Sequence, residues 1–130
     1  MPMRPEIQRW IEQAENDLLD ARATLKAERY AATAFHCQQA VEKALKALYM
    51  LQREEDAPRS HSLVFLGSET GALSRFGDFL RELTPAYIDT RYPDAAIESP
   101  EVIYGGDRAR RLWEQTEVFF QWIRSELEKK

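Results

Sequence analysis

Residues 36–50 read HCQQAVEKALKALYM. Two glutamines, a glutamate and two lysines interrupt a run of alanine, leucine, valine and tyrosine. Around them Ala34, Cys37, Val41, Leu45 and Leu48 recur at the three- and four-residue spacing of one helix face, so a long helix is predicted from about Tyr30 to Arg53. Ala40, Ala44, Ala47 and Leu51 make a second face, mostly of small residues. A helix with two packable faces belongs at the centre of a bundle or at a dimer contact.

The flanking sequence extends this pattern. Ile7, Trp10, Ile11, Ala14, Leu18, Ala21 and Leu25 predict an amphipathic helix from about Pro5 to Ala27, with Glu15, Asp17 and Asp20 on its wet side. Pro5 suits a first helical turn, where its missing N–H is no loss. After REEDAPRS breaks the central helix, Ser60 is expected to cap a short helix, SHSLVFLG, closed by Gly67. A fourth helix is expected from Leu73 to Leu83 with Phe76, Phe79, Leu80 and Leu83 inward. Thr84-Pro85 then opens a further turn through Ile88. TRYPDAAIESPEV reads as a loop, since Pro93 biases Tyr92 toward extended backbone and Pro100 adds a break. Asp107 is expected to cap a last helix to about Leu127, with Leu112, Trp113, Thr116, Phe119, Phe120 and Ile123 making contacts. No segment alternates long enough to predict a strand. The expected architecture is all-α, an antiparallel four- to five-helix up-and-down bundle, with residues 1–130 as a single domain.

Composition supports one buried core: 44% of the 130 residues are hydrophobic and 31% charged, which suits neither a disordered nor a membrane-spanning chain. The single cysteine, Cys37, excludes an internal disulfide and suits a reducing compartment. With no signal-peptide core in MPMRPEIQRW and no apolar run of bilayer length, a cytoplasmic protein is expected. A net charge of −4 argues against a protein that coats nucleic acid by bulk electrostatics. Any anion site must be a local cluster of basic residues.

Two polar clusters are candidates for such a site. On the central helix His36, Gln39, Lys43 and Lys46 point together, and could offer two ammonium groups and directional hydrogen bonds to phosphate oxygens. The plainer reading is a solvated ridge with Glu42 and Lys46 as an i, i+4 pair, and Gln38 as a buried amide tying helices together. The second cluster is TRYPDA, where Arg91 offers bidentate anion recognition and Tyr92 a stacking face. Its plainer reading pairs Arg91 with Asp94 or Glu42. Arg108, Arg110 and Arg111 read as a solvated helix start. His36 and His61 with one cysteine match no closed zinc site, no glycine-rich phosphate loop is present, and the sequence calls for no cofactor. His61 reads as a capping or packing residue.

ENDLLDARATL, AFHCQQAVEKALKALYM, SHSLVFL and YIDTRYPDA, in this order over about residues 8–125, resemble the HEPN family (higher eukaryotes and prokaryotes nucleotide-binding domain). That resemblance implies a bundle of four to five helices, often a homodimer. It also implies three kinds of activity. Many members bind nucleotides or serve as assembly domains, and many are encoded beside a minimal nucleotidyltransferase as toxin and antitoxin. Others are metal-independent ribonucleases using an arginine and a histidine with four to six residues between them, usually on a late helix. Here Arg29 and His36 have that spacing but lie at the start of the second helix, and the late helix DRARRLWEQTEVFFQWI has no histidine. The resemblance therefore implies, first, a module binding a nucleotide, RNA or a nucleotidyltransferase partner through Gln39, Lys43, Lys46, Arg91 and Tyr92. The alternatives are an endoribonuclease toxin using Arg29 and His36, and a structural dimer closed through the small-residue face.

Overall fold

The computed structural model describes residues 3–92 and 99–129. Seven helices follow one another there: α1 (Pro5–Lys26), α2 (Tyr30–Arg53), α3 (Leu63–Thr70), α4 (Leu73–Leu83), α5 (Ala86–Asp89), α6 (Pro100–Ile103) and α7 (Gly106–Glu128). No strand occurs among the described residues. Helix α2 is the hub and touches each of the other six. Side-chain pairs fix the directions. The Thr24 and Thr33 hydroxyls bond at 3.0 Å and Lys43 meets Asp17 at 2.6 Å, so α1 and α2 are antiparallel. Glu82 of α4 pairs with Arg108 and Arg111 while Phe76 packs on Phe119 and Trp122, so α4 and α7 are antiparallel too. Gln38 of α2 meets the His61 carbonyl and Gln52 the Thr70 carbonyl, so α3 runs in the same direction as α2, and the Leu63 N–H meets Thr84, so α4 returns antiparallel to α3.

The first apolar face of α2 lies in the main core, where Cys37, Val41, Leu45 and Leu48 join Leu63, Leu66, Leu80, Leu112, Phe119 and Phe120. The second face is covered as well. Ala40 and Ala44 lie in the same cluster as Ala14 and Ala21 of α1, and Ala47 packs with Ile7 and Trp10. Alanine against alanine lets two helix backbones approach closely, and the small residues serve the α1–α2 contact inside one chain. The expectation that this face closes on a twin is therefore corrected: Ala40 and Ala47 are 0% exposed.

Three end signals also differ from expectation. Ser62, not Ser60, caps α3 and accepts from the Phe65 N–H, while the Ser60 hydroxyl accepts from the Ser62 N–H in a turn before it. Gly67 does not end α3; it lies inside it, where a Cβ would stand 2.7 Å from Leu80 Cδ1, and the left-handed terminator is Gly71 with φ +89°. Gly105 rather than Asp107 precedes α7, because Gly106 begins the helix hard against the Tyr30 ring, 3.1 Å from where a Cβ would be. Helix α6 is a single turn within the expected loop, with Pro100 in its first turn. The readings of Pro93, Asp94 and Ala95 lie outside the described residues.

Candidate functional site

The polar set of α2 is not an open ridge. Glu42 is buried, with 4% of its surface exposed, and gathers three donors: Lys46 Nζ at 3.1 Å, Gln38 Nε2 at 3.2 Å and His61 Nδ1 at 2.9 Å. Gln38, fully buried, also donates to the His61 carbonyl and accepts from Gln39 Nε2 at 2.6 Å. Lys46 is 7% exposed and lies 5.5 Å from the Trp10 ring centroid of α1. Lys43 is held by Asp17. The expected Glu42–Lys46 pair exists, but inside the protein, and Gln38 ties α2 to the segment before α3 as expected. A buried carboxylate persists because its partners replace the hydration it loses. His61 precedes α3 rather than opening it.

From Glu42 the contacts run outward. The His61 ring stacks on Tyr87, centroids 3.9 Å apart with 12° between planes. The Arg91 guanidinium lies 4.9 Å from the Tyr87 centroid and 5.9 Å from those of Phe35 and Tyr92. Arg91 is therefore planted on aromatic rings, not ion-paired with Glu42, and among the described residues it has no carboxylate partner. Tyr92 is 48% exposed beside it.

Arg91 borders a cleft of about 510 Å³ between the α1–α2 turn, the start of α2 and the α5–α6 region. Arg29, Tyr30, Phe35, Thr90 and Tyr104 line it too, with Glu28 and Glu101. Glu28 carries φ +61°, unusual for a residue other than glycine, and this left-handed residue turns the chain so that Arg29 precedes α2 at the cleft. Arg29 likewise has no carboxylate partner among the described residues. Tyr104 is fully buried, with Arg108 stacked 4.8 Å from its centroid; burial first, and Asp89 second, push its phenol up to about 12. Arg108 and Arg111 both pair with Glu82, and Arg110 and Arg111 stay exposed, as expected for a solvated helix start.

Of the residues singled out in the sequence, the cleft brings together Arg29 and Arg91, with Tyr92 next to them. Gln39, Lys43 and Lys46 are engaged with partners inside the bundle. His36 is absent from the cleft lining; it sits against α1, where donor atoms of Asp17, Asp20 and His36 lie within 4.8 Å of one another. Phe35, Tyr87 and Tyr30 escaped the sequence reading. One signal pointed to Tyr87: it stands four residues before Arg91 across a helical turn, the spacing at which side chains meet.

Fold and cleft together define the class: an all-helical bundle with a ring-lined opening, carrying two arginines and two glutamates, at the start of its central helix. The chain belongs to the HEPN family: the HEPN domain model matches residues 7–127. Two solved structures share the fold. TT1696 from Thermus thermophilus is 25% identical, covers 95% of this chain and 99% of its own, and superposes with a TM-score of 0.79. An archaeal HEPN homologue is 29% identical over 92% of this chain and 96% of its own, with a TM-score of 0.76. No curated protein sequence matches. Among the described residues no helix is long and apolar enough to cross a membrane.

Proposed function

We propose that this chain is a binding module whose cleft takes the phosphate and base of a nucleotide, free or within an RNA strand. The observation that carries the reading is the convergence of Arg29 and Arg91, far apart in sequence, on one cleft in which neither guanidinium faces a carboxylate partner among the described residues. Planar guanidinium groups meet phosphate oxygens in pairs, and the Phe35 and Tyr30 rings offer faces for a base. Glu28 and Glu101 on the same lining balance the arginines and can accept from exocyclic amino groups. That balance favours a ligand with few phosphates over a dense polyanion. The buried chain from Glu42 through His61 and Tyr87 holds Arg91 over the opening.

Within the same reading the partner of the module is a minimal nucleotidyltransferase, in a toxin–antitoxin-like pair. A homodimer, if formed, uses a surface other than the alanine face of α2. The endoribonuclease reading requires Arg29 and His36 to meet one phosphate, and no contact in the structure favours it, since His36 turns toward α1 carboxylates.

Calorimetric titration of ATP and of a short single-stranded RNA into the protein tests the proposal. Arg91→Ala and Arg29→Ala are each expected to weaken binding by about tenfold or more, the worth of one charge-assisted pair. Affinities untouched by both substitutions would reject the cleft as the site.

A further inference from the structure

We propose that Asp17, Asp20 and His36 form a site for a late first-row divalent cation of the zinc class, on the seam between α1 and α2 and apart from the nucleotide cleft. Asp17 and Asp20 stand three residues apart on α1, and the antiparallel register fixed by Thr24–Thr33 brings His36 of α2 level with them. One oxygen from each carboxylate and one ring nitrogen of His36 lie within 4.8 Å of one another. Donors sharing a zinc ion at about 2.0–2.2 Å stand roughly 3–4 Å apart, so modest side-chain rotations close this group onto an ion.

The second observation is the imidazole itself. Among the described residues His36 makes no hydrogen bond, and its Nδ1 is shut off from solvent with no partner. A buried polar atom without a partner is costly, and the neutral imidazole is a good metal ligand. The other histidine, His61, differs on both counts, being bonded to Glu42 and stacked on Tyr87. One nitrogen with two carboxylate oxygens suits zinc, copper or nickel better than magnesium or calcium, which prefer all-oxygen shells. Three protein donors leave further positions for water, so the site is open rather than closed.

Lys43 is the built-in competitor. Its ammonium lies 2.6 Å from Asp17 Oδ2, where it neutralises the carboxylate that the cation would use. Metal and ammonium thus contend for Asp17, and freeing that carboxylate raises metal affinity. A motif search cannot see this arrangement, because its donors come from two helices and no cysteine takes part.

The test is calorimetric titration of ZnCl2, and separately MgCl2, into the whole chain. The site predicts one zinc ion per chain and markedly weaker magnesium binding. Asp20→Asn and His36→Ala, both changes on the rim of a helix pair, weaken zinc binding by about tenfold or more. Lys43→Ala tightens it, and His61→Ala, which removes the only other imidazole, leaves it unchanged. Circular dichroism of each variant confirms that the helices persist. Absence of zinc binding by the wild-type chain, or binding that survives in the Asp20→Asn/His36→Ala double variant, overturns the assignment.

Discussion

Glu42 sits where a leucine would pack without electrostatic cost, and its worth lies in what it holds. Removing it leaves the Lys46 ammonium buried without its partner carboxylate, and Gln38 and His61 without their acceptor. Breaking one side of a buried ion pair typically costs about 3–5 kcal/mol, and Glu42→Ala is expected to lower stability in urea by that amount. An unchanged midpoint would mean that water or another side chain takes over these donors. Two further residues make pH and reactivity predictions. Burial pushes the Cys37 thiol up to about 12, with the Thr116 hydroxyl offsetting part of the shift, so native Cys37 should resist iodoacetamide and react only as the chain unfolds. Tyr104 has its phenol raised from 10.0 to about 12 by burial, then by Asp89. A raised folded value means the neutral phenol stabilises the fold below about pH 10, and this contribution is lost as pH climbs from there toward 12. Alkaline titration followed by tyrosinate absorbance should show a late-titrating phenol that is lost in Tyr104→Phe and titrates normally once the chain is unfolded.

At the level of elements, the helices most visible in the sequence are those whose apolar spacing is long and whose ends are marked. The bounds of α2 and α4 agree with the apolar pattern, and α1 ends one residue sooner than expected. The end signals of α3 are harder to read because two serines stand before its first residue and two glycines near its end, and only packing decides which serine caps and which glycine terminates. Gly67 tests this account. Its missing Cβ makes room for Leu80, so Gly67→Ala should cost about 1–3 kcal/mol by overpacking, read from urea unfolding. Gly105→Ala is the comparison, since nothing lies within 4 Å of an added Cβ, and it should shift stability by less than about 0.5 kcal/mol. Unchanged or raised stability in Gly67→Ala would show that the gain in helix propensity, not the Leu80 contact, governs this site.

Across the whole molecule, the candidate site was legible in part. Arg91 and Tyr92 could be chosen from the sequence because a cation and a ring beside a proline are conspicuous, and Arg29 only through the arginine–histidine spacing that the family resemblance implies. The fate of Lys43 and Lys46 could not be read. Helical spacing says which side chains share a band, but not what packs over it, and here α1 closes on one side of the band while the segment before α3 closes on the other. Long-range placement turned an apparent ridge into a buried frame. That frame connects core to cleft: Gln39, Gln38 and Glu42 fix His61, His61 stacks on Tyr87, and Tyr87 carries Arg91. The polar interruption of an apolar helix thus has a structural cause, and under the proposed function it also positions the cleft arginine.

The most direct test of this connection is the affinity for ATP, measured calorimetrically, of wild type, Arg91→Ala and His61→Ala. His61 has a side chain 54% exposed and should be replaceable without unfolding the bundle. The account predicts that Arg91→Ala loses about tenfold or more in affinity and that His61→Ala, which touches no ligand, loses severalfold with its helical content intact. Full affinity in His61→Ala alongside a loss in Arg91→Ala would contradict the claim that the buried polar frame positions the cleft.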